Sequence, residues 1–108
     1  MNRVNAATHD KWASIFILAH ELGHHLEGHT ASYVKPGPQI ELQADQFAGY
    51  VLCKMGATLK QAQLVMYYIA DTQSSATHPA RADRLVAIEK GWDEAQADGK
   101  ELTAAPVL

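Results

Sequence analysis

Apolar positions recur at helical spacing in four stretches of the chain. Nowhere do they alternate with the period of two that marks a half-buried strand. The first predicted helix covers residues 10–29. Taking His20 as the reference direction, Trp12, Ile15, Phe16, Leu18, Ala19, Leu22, Gly23 and Leu26 fill a broad arc, and Ile17 falls near the histidines. A helix apolar over most of its circumference is expected to be buried. Gly23 lowers helix stability relative to alanine, which a close approach by another backbone would explain. Thr8 or Asp10 can cap this helix, and Met1 to His9 reads as an arm, a short strand or a stump. Lys35-Pro36-Gly37-Pro38 breaks the chain. A second helix is predicted over 39–55, ended by Gly56. Thr58-Leu59-Lys60-Gln61 has the form of a capping box and opens a third helix, 59–71, with Leu59, Ala62, Val65, Met66, Ile69 and Ala70 at helical spacing. After a polar loop, Pro79 suits the first turn of a fourth helix, 79–91, with Leu85 and Ile88 facing in and Gly91 closing it. Trp92 to Gly99 can add a turn, and residues 100–108 form a flexible tail. The expected fold is all-α: a compact orthogonal bundle of about four helices in a single domain over 1–108.

Composition narrows the function. At 108 residues the chain supports one core and not two. A hydrophobic content of 47% against 19% charged residues is that of a folded globule rather than a disordered segment. The net charge of −3 and pI near 6.0 lack the basic footprint of a nucleic-acid binder. No run is long enough to span a bilayer and none reads as a cleavable leader, so a soluble, cytoplasmic protein is the default expectation. No hydrophobic stripe stands out as needing a partner, which makes a monomer the default. Cys53 is alone and cannot form an internal disulfide; in an apolar helical stretch it reads as a small buried hydrophobe.

The chemistry centres on Leu18 to Thr30, LAHELGHHLEGHT, which contains His20-Glu21-Leu22-Gly23-His24. At about 100° per residue, His24 lies only about 40° round from His20 and one turn along. Both imidazoles then project from one face and can grip a single metal ion. Glu21 lies about 100° away, too far to be a ligand but placed to reach a water on that ion. His25 and His29 point away from the His20 face, and His9 has no constellation around it, so these three are read as non-ligands. A catalytic zinc takes three protein ligands and keeps a position open. The best third candidate is Glu41, with Asp45 one turn further along the same edge of the second helix, among Ala44, Ala48, Val51 and Leu52. Carboxylates on a buried edge are unfavourable unless paired or metal-bound. Glu41 would be the ligand, and Asp45 would accept a hydrogen bond from the free ring nitrogen of His20 or His24. The alternative is a solvated face whose acids complement the helix dipole. His78, just before Pro79, is on these grounds equally a polar residue at a helix start. Arg84 either pairs with a carboxylate near the site or is solvated.

His20-Glu21-Leu22-Gly23-His24, then Glu41-Leu42-Gln43-Ala44-Asp45, then Thr77-His78-Pro79 with Arg84-Leu85 resembles the gluzincin zinc metallopeptidases. The likeness is greatest to the CAAX-prenyl-endopeptidase type and to the minigluzincins, and covers about residues 15–92. It implies a zinc-dependent endopeptidase acting on peptide or protein substrates. In that arrangement His20, His24 and Glu41 hold zinc, Glu21 is general base and acid, Asp45 supports a ligand, and His78 stabilises the oxyanion. Those families place a β-sheet upstream of the zinc helix, and here only about nine residues precede it, so the expectation is either that the sheet is absent or that the chain is a fragment of a longer protein that carries it. The short link from His24 to Glu41 is similar to that of the ImmA/IrrE-type peptidases, the second family the chain resembles, although those typically carry Asn at the position of Asp45. A non-catalytic zinc module on the same scaffold is the competing expectation.

Overall fold

A computed structural model describes residues 3–26, 37–69 and 79–104. All regular structure among them is helical: α1 (Arg3–Leu26), α2 (Pro38–Lys54), α3 (Leu59–Gln63), α4 (Met66–Ile69) and α5 (Arg81–Ala104). The all-α expectation holds. α2 is the central element, packed along most of its length against α5 on one side and against α1 on the other.

Each long helix buries one stripe. On α1 it is Trp12, Phe16, Ala19, His20 and Gly23; on α2 it is Ala44, Asp45, Ala48, Gly49 and Leu52; on α5 it is Arg84, Ile88, Gly91 and Ala95. Phe16, Leu52, Met66 and Ile88 are among the largest side chains removed from solvent. Burying such a side chain contributes about 1.5–3 kcal/mol, so these stripes hold the three helices together.

The local signals of α2 and α3 operate as their residues dictate. Gly56 adopts φ +99°. Its N–H reaches Cys53 O at 3.0 Å and that of Ala57 reaches Leu52 O at 2.9 Å, the paired bonds of a Schellman turn. Thr58 Oγ1 accepts from Gln61 N at 3.1 Å, and Gln61 Oε1 accepts from Thr58 N at 2.8 Å, completing the capping box.

Four expectations are corrected. α1 begins at Arg3 and not near Asp10, because nothing in residues 3–9 stops backbone hydrogen bonding once a helix is nucleated. The single helix predicted over 59–71 is split: at Leu64 and Val65 the bonds tighten to the i→i+3 spacing, Tyr67 N to Leu64 O and Tyr68 N to Val65 O. This turn buries Val65 and Met66 together. α5 does not end at Gly91 but continues to Ala104, and Pro79 precedes it, since Arg84 N bonds to Ala80 O at 3.1 Å. Gly91 serves packing instead: a Cβ there would lie 1.8 Å from Gln46 O of α2.

The fourth correction concerns α1, which is not buried all round. Ile17, Leu18, Leu22 and Leu26 are 49%, 71%, 48% and 65% exposed, so an apolar stripe is left over after all. α1 packs on α2 and α3 through the stripe that includes Trp12, Phe16 and Ala19, and these four side chains stand outside that core. Among the described residues no helix is long and apolar enough to cross a membrane.

Candidate metal centre

The site forms where α1 crosses α2. The crossing is close because Gly23 has no side chain: a Cβ there would meet Phe47 at 3.1 Å and the Ala44 backbone at 3.4 Å. That proximity brings the polar edge of α2 against the two imidazoles of α1.

His20 Nε2 lies 3.0 Å from His24 Nε2. Glu41 Oε2 is 3.2 Å from His20 Nε2, and Glu41 Oε1 is 3.1 Å from His24 Nε2. The three side chains are 11%, 14% and 23% exposed, so the cluster is largely but not wholly withdrawn from solvent. Among the described residues His20, His24 and Glu41 are the one group of acids, histidines or cysteines able to hold a metal ion. Zinc bonds of about 2.0–2.2 Å in a tetrahedron set neighbouring ligand atoms about 3.3–3.6 Å apart. The two imidazole nitrogens are a few tenths of an ångström closer than that, and Glu41 meets them with different oxygens, so the donor set fits a zinc ion after a small adjustment of these side chains. Two imidazoles and a carboxylate are also the donor types zinc takes at catalytic centres.

Behind the triangle the polar groups are satisfied in series. Asp45 is fully buried and its Oδ1 lies 3.0 Å from His20 Nδ1. A carboxylate only accepts, so Nδ1–H donates and Nε2 is left facing the site. Arg84 donates to Asp45 from Nε at 2.7 Å and from its terminal nitrogen at 2.9 Å. That same nitrogen lies 3.6 Å from Glu41 Oε2. No buried side-chain polar atom among the described residues lacks a partner.

These contacts set the charges of the metal-free site. Burial works against a charge on His20, but its hydrogen bonds to Asp45 and Glu41 and their negative charge outweigh that and raise its pKa to about 9. The hydrogen bond with His20 holds Glu41 down to about 2 against the opposing effect of burial, with the charges of His20, His24 and Arg84 adding to it. Arg84 is raised above its ordinary value: burial alone would lower it, and the bond to Asp45 overrides that.

Of the residues singled out in the sequence, the fold brings together His20, His24, Glu41 and Asp45. Glu21 is exposed on the next position of α1. His25 is exposed, away from the cluster. His78 and His29 lie outside the described residues. Cys53 is half-buried and accepts from Gln96 Nε2 at 3.3 Å. The residue whose place the sequence left open is Arg84, which is 6% exposed. Its signal was present: it stands on the same helical stripe as Ile88, Gly91 and Ala95, and a charge on a buried stripe needs a buried partner.

A His-x-x-x-His pair on one helix and a carboxylate from the next, converging at hydrogen-bond distance, form a candidate His/His/Glu metal site of the zincin type. The chain belongs to the IrrE N-terminal-like domain family, Peptidase M78, whose sequence profile matches residues 3–84. This is the second of the two families the sequence resembles, and it is metal-dependent. No curated protein and no solved structure matches the chain.

Proposed function

We propose that the chain is a zinc-dependent metalloendopeptidase. The observation that carries the reading is the convergence of His20, His24 and Glu41 at 3.0–3.2 Å where α1 crosses α2. His20, His24 and Glu41 would hold the zinc ion, which when bound would supply Lewis acidity toward a peptide carbonyl and lower the pKa of a water toward neutrality. Glu21, exposed and about 100° round α1 from His20, takes the proton of the attacking water and returns it to the leaving amine. Asp45 keeps the proton of His20 on Nδ1, so that Nε2 stays a lone-pair donor. His78 donates to the oxyanion, as the Thr77-His78-Pro79 element and its likeness to the minigluzincins imply.

The test is metal content of the purified chain, then cleavage of casein or a fluorogenic peptide with and without chelator. Glu21→Gln is expected to retain stoichiometric zinc and lose about 10²–10⁴-fold in hydrolysis. Wild-type turnover in that variant rules out the proposed base. Glu41→Ala is expected to lose zinc; full occupancy would remove Glu41 from the ligand set. Stoichiometric zinc in a wild-type chain that cleaves nothing would instead support a non-catalytic zinc module.

A further inference from the structure

The strongest buried charge that this mechanism leaves unused is the Arg84 guanidinium. It reaches the α1–α2 crossing from a third helix. Nε and a terminal nitrogen fork onto the two oxygens of Asp45 at 2.7 and 2.9 Å, and Glu41 Oε2 is 3.6 Å from the terminal nitrogen. Asp45 Oδ1, gripped on one side by Arg84, faces His20 Nδ1 on the other at 3.0 Å. One guanidinium thus lies against both carboxylates that α2 contributes, one of which also meets His20 Nδ1.

We propose that Arg84 is a positioning residue of the metal centre: from α5 it locks Asp45 so that His20 presents Nε2, and it steadies the Glu41 oxygen beside it. The identity of the ion rests on the metallopeptidase reading; the orientation of His20 does not. A planar fork fixes a carboxylate in rotation as well as in place, which a lysine ammonium cannot do.

Two physical effects of Arg84 on a bound dication have opposite signs. Its charge repels the ion, so deleting the charge alone would tighten binding. Its fork preorders the ligands, so deleting the fork loosens binding. At this contact distance within a largely buried site, the ordering effect governs.

The experiment compares wild type with Arg84→Lys and Arg84→Met by zinc(II) titration against a competing chelator, well below each variant's Tm. The downfield His20 Nδ1–H proton resonance is followed in the metal-free proteins. Zinc affinity is expected to fall about 10-fold in Arg84→Lys, which keeps the charge, and about 10–100-fold in Arg84→Met. The Nδ1–H resonance is expected to broaden or vanish in both. Tighter zinc in Arg84→Met, unchanged affinity in Arg84→Lys, or an unaltered resonance in both variants overturns the proposal. A merely structural arginine would lower Tm and leave the resonance and the affinity of the folded protein alone. If wild type takes up no zinc, the metallopeptidase reading fails by itself, and the His20 resonance still decides the role of Arg84.

Discussion

Helix α2 is crossed twice, and the two crossings are built to different tolerances. Against α1 the closest neighbours of Gly23 are the Phe47 side chain at 3.1 Å and the Ala44 backbone at 3.4 Å, contacts that can give by a few tenths of an ångström. Against α5 the neighbours are peptide groups: a Cβ on Gly49 would lie 2.2 Å from Ile88 O, and one on Gly91 would lie 1.8 Å from Gln46 O. Backbone cannot swing aside as a phenyl ring can. The α2–α5 crossing is therefore a fixed frame, and the α1–α2 crossing is a joint set against it. The proposed metal ligands lie in the joint, and the Arg84–Asp45 pair links that joint to the frame.

The contrast can be broken at its shared residue. Asp45→Ala leaves Arg84 buried without its main partner, and losing one member of a buried pair costs about 3–5 kcal/mol. Urea unfolding is expected to show that loss together with weakened zinc binding. A loss below about 1 kcal/mol would mean the pair is not buried in solution. Next in size are Gly91→Ala and Gly49→Ala, where the helices must separate. Overpacking of this kind costs about 1–3 kcal/mol, which thermal unfolding reads directly.

The third prediction concerns pH. In the metal-free chain His20 is raised from 6.5 to about 9, so its contribution is complete below pH 6.5 and disappears as the pH rises through 9. Glu41 is lowered from 4.5 to about 2, so its contribution is present above pH 4.5 and disappears as the pH falls toward 2. The metal-free Tm is thus expected to peak between pH 4.5 and 6.5 and to decline toward pH 9. Zinc must displace the His20 proton, so its apparent affinity rises about tenfold per pH unit below 9. A metal-free Tm that is flat from pH 6.5 to 9 would contradict the paired state of His20 described here.

The smallest effect is expected for Gly23→Ala. Helix propensity gains about 1 kcal/mol, and the shift of Phe47 costs about 0.5–1.5 kcal/mol. A net change within about 1 kcal/mol is expected by urea unfolding. A loss as large as that of Gly91→Ala would erase the distinction between joint and frame.

The sequence disclosed most of the joint and little of the frame. His20 and His24 were legible because a one-turn spacing fixes their common face whatever surrounds them. Glu41 and Asp45 were legible as acids on an otherwise apolar edge. Gly91 misled, since a glycine after an apolar run most often ends a helix; here close packing on Gln46 outweighed that preference. Gly56, with no partner helix to meet, did what its type favours. The exposed Leu18, Leu22 and Leu26 show the same limit: periodicity states which residues are apolar, not how many neighbours arrive to cover them.

The matched family segment stops at residue 84, just where the supporting arginine stands. A piece of the chain cut there would keep all three proposed ligands and their arginine. It would lose Ile88 and Ala95 from the interior and the Trp92 N–H that satisfies the Ala57 carbonyl at 2.9 Å. The segment that carries the proposed site is therefore shorter than the one that completes its packing, and a version that runs on through Ala95 is expected to be the more stable.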